Sequence, residues 1–352
     1  MTVSLLWLND YLKITPDQVS EALTSLGLEV EKMETWETIK GGLKGIVAGK
    51  VLTCVKHPDA DRLSVTTVDV GKEVPSTIVC GANNIAAGQT VWVALPDTEL
   101  YDATGKPWTI KVSKIRGQLS EGMICAEDEL GLGTSHDGIM ILPDSIAAGT
   151  KASEYYQLTS DILFEIGLTP NRSDATSVIG VASDLAAFLS VQSDTFHPVT
   201  WPAIPEMTRP AAPRPFKVTV KDAAACPRYS GVLVSGITIG PSPDWIKQRL
   251  QAIGVKSINN IVDITNFILH EMGQPLHAFD ADKIVGNHIK VKNVATDTPF
   301  ITLDNKEIKL SADDLMICDG NNQPLCIAGV YGGLGVEDHA LTSCARMSVD
   351  EI

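Results

Sequence analysis

The segment DITNFILHEMGQPLHAFD, residues 263–280, concentrates side chains that could take part in hydrolysis. His270 and His277 lie seven residues apart, so a continuous helix would bring both imidazoles to one face. Asp280 would then add a carboxylate to a set of ligands that zinc accepts. Pro275 interrupts a helix between the two histidines, because proline lacks an N–H group and clashes with the preceding turn. A metal hydrolase is therefore an alternative that the spacing does not favour, and we expect no metal site.

The same segment also has the composition of a small-molecule pocket. Thr265, Asn266 and His277 carry hydrogen-bonding groups among apolar neighbours, and ligand sites are commonly built in this way. The structural alternative for His277 is a half-buried imidazole that bonds to backbone. Both interpretations predict a helix that ends near Gly273, before Pro275 turns the chain.

A second segment, KPWTIKVSKIRG at residues 106–117, carries four cations and no acid in a chain of formal net charge -15. Period-2 spacing along a strand would place Lys114 and Arg116 on one face. Such a basic face predicts contacts with nucleic-acid phosphates, although lysines also protect the exposed edges of sheets. The candidate RNA-binding residues are Lys106, Lys111, Lys114 and Arg116.

Two further motifs predict turns rather than ligand sites. HPDADRL, residues 57–63, places a histidine before proline and two aspartates after it, which favours a structured turn over a metal site that has no third partner. GVYGGLG, residues 329–335, lacks the Lys-Ser/Thr pair of a phosphate-binding loop. It predicts tight turns or a close approach of backbone to a ligand.

Composition limits the classes of function. The 43 acidic residues exceed the 28 Lys and Arg residues, so a polyanion would have to bind at a local basic patch. Seven scattered cysteines without a CxxC pair indicate reduced thiols rather than disulfides or a zinc knuckle. No apolar run approaches about 18 residues, and the first residues lack a signal-peptide pattern. We therefore expect a cytoplasmic protein without a membrane span.

The elements that would position these side chains alternate between helical and β-rich segments. Thr15 followed by proline predicts an N-cap, and the helix after it should end near Gly27. From Gly41 to Pro143, short β-rich runs separated by turn residues predict a small barrel or sandwich. Helical periodicity then returns behind the candidate caps Ser173 and Asp174. The β-rich block thus looks inserted between two helical pieces.

Beyond these pieces, a proline-rich segment predicts a semi-rigid linker. Strands follow it, with one helix that Ser242 should cap, and the irregular order predicts an α+β domain. The predicted fold class is α+β and multidomain. The predicted domains are a discontinuous helical domain at 1–40 and 152–195, a barrel at 41–151, a linker at 196–215 and an α+β domain at 216–352.

Seven segments together resemble the N-terminal part of the bacterial phenylalanyl-tRNA synthetase β subunit. They run in that family's order from about Leu5 to Gly335 and are LLWLNDYL, HPDADRL, VCGANN, KIRGQLSEGMICAEDELGLG, LTPNRSDATSVIGVASDLAAF, NNIVDITNFILHEMGQPLHAFD and LCIAGVYGGLG. The resemblance implies a tRNA-binding OB-fold barrel set into a small helical domain and followed by an editing domain. It also implies tRNA(Phe) and an α subunit as partners in an α2β2 heterotetramer, with ATP and Mg²⁺ used by the whole synthetase. The chain would then be a fragment that cannot aminoacylate alone.

The resemblance implies roles for individual residues as well. An apolar pocket for phenylalanine rejects tyrosine only weakly, so a second site hydrolyses mischarged Tyr-tRNA(Phe). The matching catalytic positions are Thr265, Asn266 and His277, and the matching substrate-binding positions are Pro275, Phe279, Ala328 and Gly329. His277 is expected to place the ester and a water without a metal or a covalent nucleophile. The tail after Gly335 does not resemble the family's segment, and a non-catalytic RNA-binding or scaffold module is the alternative.

Overall fold

The computed structural model describes residues 1–102, 104–206, 215–334 and 346–351, the last range as backbone only. Residues 207–214 of the predicted linker lie outside the described residues. The same holds for Gly335 of the GVYGGLG motif and for residues 336–345 of the tail that was predicted to diverge. None of the helices within the described residues is long and apolar enough to cross a membrane.

The described residues are mostly β-structure with few helices. The helices are α1 (Leu5–Tyr11), α2 (Pro16–Ser25), α3 (Ala152–Tyr155), α4 (Val178–Ser193), α5 (Asp244–Ala252) and α6 (Asn260–Met272). The first strands are β1 (Thr2–Ser4), β2 (Val30–Glu37), β3 (Ile46–His57), β4 (Ala60–Asp69), β5 (Ser76–Cys80), β6 (Thr90–Ala94), β7 (Glu99–Tyr101), β8 (Pro107–Thr109), β9 (Ser113–Ile115), β10 (Gln118–Ser120), β11 (Met123–Ile124) and β12 (Ile141–Leu142). The later strands are β13 (Ser160–Ile166), β14 (Lys217–Val220), β15 (Ser230–Ser235), β16 (Leu276–Asp280), β17 (His288–Asn293), β18 (Thr298–Ile301), β19 (Glu307–Leu310), β20 (Leu315–Cys318), β21 (Pro324–Ile327), β22 (Tyr331–Gly332) and β23 (Arg346–Glu351).

The chain divides into two compact units, one formed by residues 35–161 and the other by residues 1–34 and 162–352. The first unit contains an antiparallel sheet in the order β11-β6-β3-β4-β5, with β12 also paired to β6. Two hydrogen bonds join the edge strand β5 to the segment that leads into β11, the strand at the other edge. Glu121 N donates to Thr77 O at 2.8 Å, and Val79 N donates to the Ser120 hydroxyl at 3.1 Å. The sheet is therefore nearly closed, which confirms the predicted barrel-like block.

Close packing inside this barrel depends on a glycine in its longest strand. A Cβ atom at Gly49 would lie 2.6 Å from a methyl of Val68 and 2.7 Å from a methyl of Val93. Val68 and Val93 are completely buried, so neither side chain has space to move away. Gly49 thus lets β3 lie against its neighbours at the centre of the sheet.

The HPDADRL motif forms the turn between β3 and β4, as predicted. His57 is buried, and its Nδ1 atom accepts from Asp59 N at 3.0 Å. Its Nε2 atom lies 3.1 Å from the carbonyl oxygen of Ile115. His57 therefore joins this turn to β9, and the structural interpretation of the motif is confirmed.

The basic segment at residues 106–117 is not one strand. It is divided between β8, which pairs with β7, and β9, which pairs with β10. Arg116 and Gly117 have φ angles of 45° and 85° and form the two-residue turn between β9 and β10. The prediction that Lys114 and Arg116 share a strand face is therefore wrong, because Arg116 lies in the turn.

The second unit has a helical core that includes residues from α1, α2, α4, α5 and α6. The Thr15 hydroxyl and the Gln18 side chain form a reciprocal capping box at the start of α2, and Gly27 follows its end with φ of 80°. Both ends of this helix agree with the prediction. Trp7 of α1 stacks on Phe267 of α6 with ring centroids 4.6 Å apart. Helices from both sides of the predicted linker thus share one core.

Two predicted helix caps are wrong. The N-cap of α4 is Ser177, whose hydroxyl accepts from Gly180 N at 3.0 Å, whereas Ser173 and Asp174 lie in a separate 3-10 turn. Ser242 does not cap α5 but donates its hydroxyl to the buried carboxylate of Asp263. In both cases another hydrogen bond satisfies the side chain that local sequence assigned to the cap.

The sheets in this unit include one of five strands and a smaller one of three strands. The larger has the order β14-β17-β20-β21-β22, and the smaller has the order β15-β23-β16. A cluster that includes Phe279, Ile289, Ile317 and Cys326 forms an apolar core beside these strands. The structure confirms the predicted mixture of α and β structure, and the boundaries of the predicted domains stay a prediction.

Candidate functional site

Strand β16 presents His277 and Phe279 on the same face, because side chains two residues apart in a strand point the same way. Their rings stack with centroids 6.1 Å apart and planes inclined by 29°. The Nε2 atom of His277 lies 3.7 Å from the Sγ atom of Cys326 on β21. Phe279 and Cys326 are completely buried in one apolar cluster, and the half-buried Ala328 packs against it. The structure therefore brings together His277, Phe279 and Ala328 with Cys326.

Thr265 and Asn266 lie on α6, which packs against the other face of β16. Ile261 of this helix and Ala278 of β16 belong to one small buried cluster, and Ala278 points away from the face that carries His277. Thr265 is buried, and its hydroxyl donates to the carbonyl of Val262 at 2.8 Å. Asn266 is half-buried. The hydrogen bond that the structure gives Thr265 is thus within its own helix rather than to the His277 group.

Asn259 and Gly273 set the limits of α6. The Asn259 side chain accepts from Ile261 N and Val262 N, both at 3.0 Å. Gly273 ends the helix in the left-handed region at φ of 75°, where the sequence predicted the end. The helix therefore begins 3 residues before the DITN motif, residues 263–266. It stops before Pro275, which is exposed in the connection to β16.

Asp263, the first residue of the DITN motif, is a structural anchor. It is completely buried, and its carboxylate accepts from Ile258 N at 2.9 Å and from the Ser257 hydroxyl at 2.5 Å. Ser242 supplies a third donor. Three donors satisfy the buried carboxyl group, so Asp263 ties the loop before α6 to the helix.

The turn after β21 carries the two small residues of the predicted substrate wall. Val330 N donates to Ile327 O at 2.9 Å across this turn, and Gly329 within it has φ of 71°. The amide of Ala328 donates to Leu315 O at 2.9 Å. Ala328 thus has its donor engaged, while Gly329 provides a backbone conformation that other residues rarely adopt. The prediction of a tight turn here is confirmed.

The two histidines of the opening segment do not share a helix. His270 is half-buried on α6, and burial lowers its pKa. His277 lies beyond the helix end on β16, where Asp280 is also found. Over the part of the chain that the structure describes, no three His, Cys, Asp or Glu residues come together as a group that could hold a metal ion.

Cys326 is the member of this group that sequence reasoning missed. It lies two residues before Ala328, which the resemblance had already assigned to the pocket wall. Alternation along a strand would have placed both residues on one side of β21. A period-2 extension of the Ala328 assignment could therefore have found Cys326.

The four candidate RNA-binding residues are all exposed and belong to the unit formed by residues 35–161. Lys111 lines a cavity of about 860 Å³, together with the exposed Trp108. Lys106 precedes β8, Lys114 lies on β9, and Arg116 occupies the turn after β9. The structure thus distributes the four cations along two adjacent hairpin segments, and one of them reaches the cavity.

Comparisons with known proteins match two separate regions of the chain. Residues 46–151 match the family model described as "Putative tRNA binding domain", and residues 225–343 match the model of the B3/4 domain. The chain is 52% identical over 336 residues to the phenylalanine–tRNA ligase beta subunit of Bacteroides fragilis, which covers 95% of this chain and 41% of the relative. It resembles the beta subunits of this ligase.

The subunit of Porphyromonas gingivalis is also 52% identical over 341 residues, with 95% of this chain and 41% of the relative covered. The subunit of Salinibacter ruber is 43% identical over 358 residues, with coverages of 97% and 42%. This chain therefore spans about two fifths of the length of these relatives. These similarities confirm the resemblance to ligase beta subunits and the assignment of a tRNA-binding domain.

Among solved structures, an N-terminal fragment of the phenylalanyl-tRNA synthetase beta subunit from Pyrococcus horikoshii is similar over 54% of this chain and 55% of that one. Its sequence identity is 15% and its TM-score is 0.32, which is too low to establish a common fold.

Proposed function

We propose that this chain is the tRNA-binding and editing part of a phenylalanine–tRNA ligase beta subunit, which hydrolyses mischarged Tyr-tRNA(Phe). The observation that carries the editing proposal is the group of His277, Phe279, Cys326 and Ala328 inside the region that matches the B3/4 domain. A histidine held between an aromatic ring and a thiol, beside a turn of small residues, suits the placement of an ester.

In the proposed reaction, His277 orients a water and the ester that joins tyrosine to the terminal ribose. The water oxygen bonds to the carbonyl carbon, and the bond from that carbon to the ribose oxygen breaks. A proton from the water ends on the ribose oxygen, so the products are tyrosine and tRNA. The reaction needs no covalent enzyme intermediate and no resident metal.

The fixed orientation of the imidazole supports this role, because a positioned group reacts much faster than a mobile one. Phe279 stacks on the ring, and Cys326 lies beside Nε2. Thr265 and Asn266 lie on the adjoining helix α6. The Thr265 hydroxyl donates within that helix, and Asn266 is half-buried. We propose that Pro275 contributes the exposed edge of the pocket.

The small residues of the turn after β21 would admit the aminoacyl group. Ala328 contributes space rather than a donor, because its amide already bonds to Leu315. Gly329 allows a backbone conformation in which the chain can approach a ligand closely. Discrimination against phenylalanine requires a polar partner for the tyrosine hydroxyl, since such a partner left unpaired by phenylalanine costs binding energy.

The same proposal assigns tRNA binding to the barrel unit. Lys106, Lys111, Lys114 and Arg116 are exposed on its hairpins, and phosphate contacts come from such cations. The chain as a whole has a formal net charge of -15, so binding must rely on this local patch. We expect a strong dependence of tRNA affinity on salt concentration.

In the whole ligase, the proposed partner is an α subunit in an α2β2 assembly, and ATP and Mg²⁺ would serve aminoacylation there. The cytoplasmic location that composition suggests stays a prediction. One observation favours the alternative of a non-catalytic RNA-binding module, because the cavity of about 860 Å³ lies in the barrel unit rather than beside His277.

A misacylation assay separates these functions. The full beta subunit with this sequence, assembled with its α subunit, is supplied with tyrosine, ATP and tRNA(Phe). We expect little Tyr-tRNA(Phe) to accumulate with the parent and at least tenfold more with the His277→Ala variant. Equal accumulation by both enzymes, with tRNA binding intact, would favour the non-catalytic module.

A further inference from the structure

The barrel unit contains a cavity whose use the proposed function leaves open. Its volume is about 860 Å³, within the range of sites that bind small molecules or single nucleotides. Ile110, Ala126 and Ile139 are buried residues in its lining, so part of the wall is apolar and fixed. The cavity is therefore large enough to hold one planar group such as a nucleobase, and part of its wall is rigid.

An exposed tryptophan lies at this cavity. Trp108 is 40% exposed and belongs to β8, where its register partner is Leu100 of β7. It also lines a second cavity of about 730 Å³, which is lined by Tyr101 as well. An indole that lines two cavities and is exposed to solvent offers a stacking surface to an unpaired base.

The charged residues around the first cavity would attract the phosphates of a single strand to one place and keep them out of another. Lys111 lies in the lining, and Lys114 is exposed on the strand that follows. The lining also contains the carboxylates of Glu129 and Asp137, which would repel a phosphate from the interior. A single strand would therefore place its phosphates at the lysines and direct a base inward.

The carboxylate of Glu129 gives the interior a hydrogen-bond acceptor. One of its oxygens accepts from Ala126 N at 2.7 Å, and within the described residues the other oxygen has no hydrogen-bond donor. A carboxylate pairs with exocyclic amino groups, which adenine, cytosine and guanine carry and uracil lacks. The acceptor thus favours bases with an amino group.

Another part of the cavity wall is held by hydrogen bonds between a side chain and the backbone. The Asn84 side chain donates to Ile139 O at 2.9 Å and accepts from Ile139 N at 3.0 Å. Gly138 has φ of 121°, and a Cβ there would lie 2.4 Å from the Asn84 oxygen. A preorganised wall reduces the entropy that a bound base would otherwise cost.

From these observations we infer that the cavity beside Trp108 binds one unpaired, amino-bearing nucleobase of an RNA single strand, stacked on the indole and hydrogen-bonded to Glu129. The inference rests on the proposed tRNA-binding function. The inferred pocket would select among bases, whereas the proposed lysine and arginine contacts recognise only phosphates.

The test measures binding of tRNA(Phe) and of short oligo(A), oligo(C) and oligo(U) by the complete chain. We expect Trp108→Ala to weaken tRNA binding at least tenfold without changing its salt dependence, and Trp108→Phe to stay within threefold of the parent. We expect Trp201→Ala, which removes an exposed tryptophan outside the barrel unit, to bind as the parent does. Equal binding by Trp108→Ala would overturn the inference.

Base preference supplies the second readout. The parent should bind oligo(A) and oligo(C) at least fivefold more tightly than oligo(U), and the nearly isosteric Glu129→Gln variant should lose this preference. If the three oligonucleotides bind equally while Lys114→Ala weakens them all, the pocket inference fails and tRNA binding stands. If the parent binds no RNA, the proposed tRNA-binding function itself fails.

Discussion

The Sγ atom of Cys326 on β21 lies 3.7 Å from the Nε2 atom of His277 on β16, although the two residues are 49 apart in the chain. Phe279 stacks on the same imidazole with ring centroids 6.1 Å apart. The thiol and the aromatic ring thus restrict the rotation of His277 from two directions. A histidine that must place a water for hydrolysis needs this restriction, because misplacement by about 1 Å can cost a hundredfold in rate.

Cys326 is predicted to be a positioning residue for His277. Removal of one weak hydrogen bond, about 0.5–1.5 kcal/mol, should slow deacylation of Tyr-tRNA(Phe) by about 2- to 10-fold in Cys326→Ala. Cys326→Ser keeps a polar group of similar size and should recover part of the rate. The measurement is the single-turnover rate across pH, and a Ser variant as slow as the Ala variant would contradict the assignment.

Gly329→Ala should impair editing through the backbone. Gly329 has φ of 71°, and an L-residue in that region costs about 1–2 kcal/mol. Gly254 at the end of α5 has φ of 83° and space for a Cβ, so Gly254→Ala is the matched control. Thermal unfolding should show similar destabilisation for both variants, and only Gly329→Ala should slow deacylation. Equal deacylation by the two variants would contradict the pocket role of the turn.

Glu271 is predicted to make stability depend on pH. Its carboxylate accepts from the Tyr11 hydroxyl inside the helical core, and burial raises the pKa of Glu271 above its usual 4.5. The folded state therefore holds the proton more tightly, so this stabilisation is complete below pH 4.5 and is lost as pH rises through the folded pKa. Each unit of difference in pKa corresponds to about 1.4 kcal/mol.

Urea unfolding between pH 4 and pH 8 measures this effect. Glu271→Gln stays neutral and can still accept from Tyr11, so its stability relative to the parent should improve as pH rises. Glu21→Gln, an exposed substitution on α2, should follow the parent. Parallel stability curves for Glu271→Gln and the parent would show that the Glu271 proton is not linked to folding.

The basic hairpin should set the salt dependence of tRNA binding. Each of Lys114→Ala and Arg116→Ala removes about one phosphate contact, so each should lower the slope of log K against log salt by about 0.7–0.9. Lys72→Ala removes an exposed cation of the same unit outside this hairpin and should leave the slope unchanged. Binding isotherms at several salt concentrations test this, and equal slopes for all variants would exclude a role of the hairpin.

Local chemistry accounts for the features that the sequence predicted correctly. The Thr15 cap, the helix end at Gly273 and the turn after His57 each depend on neighbours within a few residues. The barrel-like block was also predictable, because its short β-rich runs and turn residues recur along the chain. Such signals require no knowledge of distant contacts.

Long-range contacts account for the errors. Ser242 was expected to cap α5, but it donates to Asp263, 21 residues further on. Arg116 was expected on a strand face, but pairing of β9 with β10 places it in a turn. Cys326 reaches His277 only because two strands come together in the folded chain. Neither composition nor periodicity contains this information for Ser242 and Arg116, whereas period-2 alternation back from Ala328 could have pointed to Cys326.

The most direct test of the editing proposal is the rate at which the assembled ligase releases tyrosine from preformed Tyr-tRNA(Phe). His277→Ala should slow this release at least a hundredfold while aminoacylation with phenylalanine stays within threefold of the parent. His270→Ala, on the adjoining helix α6, is the matched histidine control and should retain the parent rate. Release by His277→Ala at the parent rate would contradict the assignment of His277 and, with it, the proposed editing site.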